Sequence, residues 1–207
     1  MSRQAERSSL STRRLLDAAA ELISDGGYGA MTLSAVGARA GYSRGLVTAR
    51  FGSKRELLEA LVNRISTNWN VRNVQPRTVG RSGLDGLLIT LDAIRVQAKR
   101  DPTALRRLYA LQFEALGPVP ELRAHFVEFH RTMRTDMAAF VKRGLRDGSV
   151  VAGTSPKAEG AAIVGALRGI GYQWLLDPDD IDPAALMGHL ITSVDRRLRA
   201  KEERHDT

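Results

Sequence analysis

Between Thr32 and Lys54 the chain reads TLSAVGARAGYSRGLVTARFGSK, and few folds accommodate that order of residues. Thr32 is placed to cap a short helix over Leu33 to Arg39, its hydroxyl accepting an early backbone N–H. Ala40, Gly41 and Tyr42 make a corner, where Gly41 can take the positive φ that other residues resist. Ser43 then caps a second helix that ends near Phe51. Val36, Ala40, Leu46, Val47 and Phe51 supply the apolar contacts that would fix the two helices at an angle. The outward positions of the second helix, Tyr42, Arg44, Gly45, Thr48 and Arg50, are polar, basic or small, a face suited to the major groove. Residues 32–51 therefore read as a helix-turn-helix, against the plainer alternative of an ordinary helical corner.

The residues after the motif agree with it. Ser53-Lys54-Arg55-Glu56 is a capping box, so a third helix begins directly after the reader helix. Its first turn would offer backbone N–H groups and Lys54 to a phosphate. The charge agrees too: of a net +8, residues 1–55 hold 9 Lys/Arg against 4 Asp/Glu, which leaves 22 against 19 for the rest. A basic excess gathered at a groove-reading motif favours a polyanionic partner.

At these residues the chain resembles the TetR family of transcriptional regulators. The resemblance covers Thr12 to about Val62: an Ala-rich first helix, the loop Gly26-Gly27-Tyr28, the Thr before helix two, and A-G-Y-S-R-G-L-V followed by F-G-S-K. It implies that Thr32, Ser43 and Lys54 contact phosphates, and that the Tyr42–Arg50 stretch meets both phosphates and base edges. The chain departs from the family at Thr48, where an aromatic residue is usual, and at Arg50, where His is common. Arg50 adds a cation that could read guanine or hold a phosphate.

Around this motif the chain reads as all-α, with about nine helices. Residues 1–10 suit a flexible basic arm carrying Arg3 and Arg7. Helix one runs from about Ser11 to Asp25, with Leu15, Leu16, Ala19, Leu22 and Ile23 on one stripe, and Gly26-Gly27 stop it. The helix after Ser53 reaches about Val71, and Asn73 to Gly83 is the best boundary. This gives a DNA-binding domain over 11–71 and an effector-binding and dimerisation domain over 72–207. In the second part Ser82-x-x-Asp85 resembles a capping box. Pro102, Pro120, Pro156 and Pro183 each mark a first helical turn.

The middle helices gather Tyr109, Phe113, Phe126, Phe129, His130, Met133 and Met137. Plain core is one reading. The resemblance implies another, a pocket for a small hydrophobic effector, with Trp69 and Trp174 at its border. In the penultimate long helix Ala158, Ala162, Gly165 and Gly169 form a small-residue stripe. Glycine costs roughly 1 kcal/mol in a helix interior, so close approach of another helix is the expected reason. The last helix offers Leu186, Leu190 and Val194. An intramolecular hairpin would explain the stripe. The resemblance implies instead a homodimer seam of four helices, and two-fold symmetry would set two reader helices on a palindromic operator.

Other classes fall away. Cys is absent, so there is no disulfide framework and no thiolate metal site. His125 and His130, five residues apart, stand about 140° round a helix from one another, a poor start for a metal site. No phosphate loop, Rossmann fingerprint or nucleophile elbow occurs, so neither catalysis nor a cofactor is expected. The start lacks the apolar core of a signal peptide, and no run nears the ~18 apolar residues of a membrane span. A cytoplasmic, ligand-responsive, sequence-specific DNA-binding regulator is expected, a repressor released by its effector. The competing class is a helical ligand-binding or scaffold protein with a degenerate DNA-binding head, and Thr48 is the feature that favours it.

Overall fold

Cap residues and prolines divide the described residues into ten α-helices. The computed structural model describes residues 3–117 and 122–200, and leaves undescribed the side chains of 3–5, 7, 65–69, 104, 107 and 114. The helices are α1 (Arg3–Ala30), α2 (Leu33–Ala40), α3 (Arg44–Phe51), α4 (Lys54–Trp69), α5 (Gln75–Thr78), α6 (Gly83–Arg100), α7 (Pro102–Glu114), α8 (Arg123–Asp147), α9 (Pro156–Leu176) and α10 (Pro183–Leu198). A π-helical turn, Asn70–Val74, follows α4. Among the described residues there is no strand, only an isolated antiparallel bridge between Val150 and Arg199. The expectation of about nine helices misses α5, which lies inside the stretch read as a boundary. Pro76 in its first turn presets a helical φ there. Pro120 lies outside the described residues.

By Cα proximity the chain forms two compact units, Met1–Trp69 with Glu114–Leu122, and Asn70–Phe113 with Arg123–Thr207. In the first, α1 packs on α2 and α4, α2 on α3, and α3 on α4. Leu15, Leu16, Ala19, Met31, Val36, Val47, Leu57 and Leu58 are buried there. Each fully buried Leu contributes on the order of 2 kcal/mol.

The expected arm is not separate from α1, since the helix already begins at Arg3. Glu6 in its first turn suits the positive end of the helix dipole. The carbonyl of Ser8 also accepts from the hydroxyls of Ser11 and Thr12, both at 2.9 Å. The expected stop at Gly26-Gly27 is a break in helical backbone, with Gly27 at φ 72°, before one more turn reaches Ala30.

In the second unit α6, α8, α9 and α10 enclose a core of Leu84, Leu87, Leu91, Met137, Val141, Ile163, Leu167, Met187 and Val194. Helix α6 lies so close to α8 that a Cβ on Gly83 would strike the backbone of Gly144 and Phe140. The end of α10 is clipped to the loop after α8: Val151 N–H donates to Leu198 O at 2.9 Å, and Ala200 N–H to Ser149 O at 3.2 Å. No helix among the described residues is long and apolar enough to cross a membrane.

Candidate functional site

The reader is built from its caps outward. Thr32 Oγ1 accepts the Ala35 N–H at 3.1 Å, and Ser43 Oγ accepts the Leu46 N–H at 3.2 Å. Between them Gly41 takes φ 76°, and the Tyr42 N–H closes the corner on Gly37 O at 2.8 Å. Nothing in the local pattern singles out Gly37, yet the corner needs it: a Cβ there would lie 2.8 Å from Tyr42 O. Val47 is fully buried, which fixes the rotation of α3. Ser43, Arg44, Gly45, Thr48 and Arg50 are then exposed, and Tyr42 is half-buried at the corner. Ser53 caps α4 through the Glu56 N–H at 3.2 Å, while Glu56 reaches back to the Ser53 hydroxyl at 2.7 Å.

The cations of this unit divide by partner. Arg39 pairs with Asp25 at 3.1 Å and Glu21 at 3.3 Å, and the bond to Asp25 leads in holding its pKa up. Arg64 meets Asp17 at 2.6 Å. Arg44 forms no ion pair with any described residue, and Thr48 turns its hydroxyl onto Arg44 O at 3.1 Å. Arg50 is tied back to α1, donating to the hydroxyls of Ser8 and, at 3.4 Å, Ser11. Its place in the sequence suggests an outward side chain beside Arg44; the guanidinium is held by α1 instead, because α1 extends far enough to reach it. Lys54 Nζ sits 3.8 Å from the centre of the buried Tyr28 ring.

The residues expected to line a pocket separate into core and cluster. Met137 belongs to the apolar core among α6, α8, α9 and α10, so it is plain packing there. Trp174 is buried on α9, and the Trp69 side chain lies outside the described residues. Phe126 and Phe129 stand edge to face at 6.3 Å, and Phe129 meets His130 at 5.8 Å. On α7, Phe113 meets Tyr172 of α9 at 5.4 Å, and the buried Tyr109 donates its hydroxyl to Leu167 O at 3.0 Å. Burial raises the Tyr109 pKa.

Arg168 and Gln112 join this cluster, and sequence reasoning missed both. Arg168 donates to Gln112 Oε1 at 2.6 Å, and the same oxygen lies 2.9 Å from His130 Nε2, which must therefore carry the proton. Met133 offers its sulfur to Arg168 at 3.6 Å. Burial, then the cations Arg168 and Arg134, push the His130 pKa down to about 4. The signal in the sequence was a lone charge: from Gly160 to Leu176, α9 carries no other charged side chain. Among the described residues no group of three or more His, Cys, Asp or Glu could hold a metal.

The small-residue stripe of α9 is exposed at Ala158, Ala162, Gly165 and Gly169, and a Cβ on either glycine would meet nothing within 4 Å. Leu186 and Leu190 are half-buried against the core of their own chain. Val194 is fully buried in that core, which removes it from any seam. It is the inward side of α10, with Met187 and Leu198, that claims it.

Residues 15–61 match the family described as bacterial regulatory proteins, tetR family. Residues 113–199 match the BetI-type transcriptional repressor C-terminal family. No curated protein matches the chain in sequence. Among solved structures, a TetR-family transcriptional regulator from Rhodococcus sp. is similar, with 21% identity, 91% of this chain and 98% of that chain covered, and a TM-score of 0.77. The SmeT–triclosan complex has 22% identity, 93% of both chains and a TM-score of 0.76; SmeT is the repressor of the Stenotrophomonas maltophilia multidrug efflux pump SmeDEF. A transcriptional regulator from Saccharomonospora viridis in complex with choline has 17% identity, 93% of this chain and 100% of that chain, and a TM-score of 0.72. With one family match on the helix-turn-helix and another on the helical C-terminal part, this chain belongs to the TetR family of transcriptional regulators.

Proposed function

We propose that the protein is a cytoplasmic homodimeric repressor that binds a palindromic operator and leaves it when a small hydrophobic effector binds. The observation that carries the reading is the face of α3, where exposed Arg44, Gly45 and Thr48 stand on a helix fixed by Ser43 and Val47. Thr32, Tyr42, Ser43 and Lys54 supply phosphate contacts around it, and Arg50 joins them if DNA draws it off Ser8 and Ser11. The 11–71 region acts as the DNA-binding domain and 72–207 as the effector-binding and dimerisation domain. The dimer uses the exposed stripe of Ala158, Ala162, Gly165 and Gly169, with the half-buried Leu186 and Leu190 beside it. Effector control requires only that the ligand bind more tightly to the state with low operator affinity. Repression by SmeT, and the triclosan and choline complexes of its structural relatives, support the analogy. No catalytic role is proposed.

A second reading, a ligand-binding protein whose head no longer reads sequence, gains from Thr48 and from the tethering of Arg50. Selection of genomic fragments, beginning with DNA beside the protein's own gene, separates the two. A recovered palindrome bound far more tightly than bulk DNA supports the repressor. Affinity that falls with salt yet ignores sequence supports the degenerate head.

A further inference from the structure

Arg168 is half-buried, with Nε shut off from solvent and unpartnered. A guanidinium keeps its charge at any pH a protein tolerates, so it cannot relieve burial by losing a proton. Burial does lower its pKa, which means the site bears the charge at a cost. The groups that meet it are all neutral. They are the Gln112 carbonyl oxygen, the Met133 sulfur and the face of the Tyr109 ring, 4.9 Å from the guanidinium carbon. No carboxylate of the described residues pairs with it. Three other arginines of the same unit reach carboxylate oxygens, Arg95, Arg197 and Arg199 at 2.6, 2.9 and 2.7 Å, while Arg143, over the Phe140 ring, shares with Arg168 buried guanidinium nitrogens that have no partner.

The one good acceptor is already divided. Gln112 Oε1 serves both Arg168 and His130, and the amide nitrogen is spent on Leu108 O at 3.2 Å. One amide oxygen can meet a single N–H direction, whereas a carboxylate offers two oxygens to the guanidinium fork. Beside the cation runs an aromatic seam. Phe113 follows Gln112 on α7, and its partner Tyr172 stands one turn beyond Arg168 on α9. Tyr172 is 49% exposed, so the seam reaches the surface of the chain.

We propose that Arg168 anchors a carboxylate: the ligand of this unit is a monocarboxylate on an apolar body, held by the guanidinium of Arg168 and lying along Phe113 and Tyr172. This rests on reading the second unit as ligand-binding and narrows that reading to a chemical class. The rival explanation is a structural tie, in which Arg168 merely staples α7, α8 and α9 through Gln112, Met133 and Tyr109.

The test uses the full-length protein with benzoate, phenylacetate and octanoate, each beside its neutral amide, at fixed ionic strength. Calorimetry should show at least one acid binding about tenfold or more tightly than its amide. Arg168→Met should erase that preference, so that each acid binds no more tightly than its amide. Acids and amides that bind alike, a preference that survives in Arg168→Met, or no binding by any acid would each overturn the proposal. Should Arg168→Met not fold, the wild-type arm still decides, with one addition. The Arg168 Nε–H resonance, assigned by Arg168→Lys, should move when the preferred acid saturates the protein; an unmoved resonance overturns the proposal. Operator affinity separates this from the broader reading. An acid that binds through Arg168 without loosening DNA keeps the anion site and sinks effector control. Release by neutral compounds alone, with the acids inert, does the reverse.

Discussion

Arg44 and Lys54 are both cations of the head, and their surroundings differ. Arg44 stands exposed on α3 with no ion pair among the described residues, and the proposed function gives it a base edge. Arg44→Ala should therefore weaken specific binding by ~1–3 kcal/mol and relax sequence preference at one position. Lys54, at the first turn of α4 and over the Tyr28 ring, should act on any sequence alike. Lys54→Ala should lower affinity for all DNA and reduce the salt slope by about one charge. Titrations by fluorescence anisotropy over a range of salt measure both effects, and an unchanged slope would remove the phosphate role of Lys54. His130 yields a prediction in pH. Its folded pKa of about 4 lies below its ordinary 6.5, so the unfolded chain takes up that proton more readily. The contribution of His130 is complete above about pH 6.5 and is lost as pH falls towards about 4. The charged groups that depress it after burial, Arg168 and Arg134, stay charged throughout. His130→Gln should flatten the decline of the urea midpoint across that window relative to wild type; parallel curves would count against it.

Helices were most legible where a single local interaction sets an end. Thr32, Ser43, Ser53 and Ser82 cap as their spacing indicates, and Pro102, Pro156 and Pro183 open α7, α9 and α10. Each of those boundaries is decided within four residues of chain, so the sequence displays it. Choices between faces were less legible, because they depend on partners distant in sequence. The small residues of α9 illustrate this. Gly165 and Gly169 drew attention, but within the chain it is Gly160 and Gly171 that lie against neighbours, at the Arg134 backbone and the Tyr109 ring. The resemblance puts Val194 at the seam, and the core of its own chain holds it instead. The tether of Arg50 is illegible for the same reason, since Ser8 lies 42 residues away. Helix α9 gives a direct check. A methyl group at position 171 would enter the Tyr109 ring, so Gly171→Ala should destabilise the protein by ~1–3 kcal/mol. Gly29→Ala, where a Cβ would meet nothing within 4 Å, is the control, and chemical denaturation compares them.

At the scale of the molecule, the exposed stripe of α9 carries the proposed assembly. A Cβ at Gly165 or Gly169 meets nothing within 4 Å in its own chain, so an effect of Gly165→Leu or Gly169→Leu on assembly is expected to come from a partner. Each substitution should give a monomer by light scattering, or a chain that no longer folds alone, since obligate dimers often lack a stable monomer. A folded dimer of the double substitution would move the seam elsewhere. The clip between Ser149–Val151 and Leu198–Ala200 has a consequence of another kind. It joins the two ends of the α9–α10 hairpin, so a stretch of chain from Val150 to Arg199 is closed into a loop by backbone bonds. A terminal helix held only by its side chains would fray from its last turn, exposing amides one after another. Here the last turn of α10 cannot loosen until the clip parts, and its parting uncovers Leu198, which is buried beside Val194. The amide protons of Val151 and Ala200 should therefore exchange with deuterium together, at the rate of the α10 interior rather than that of an open end.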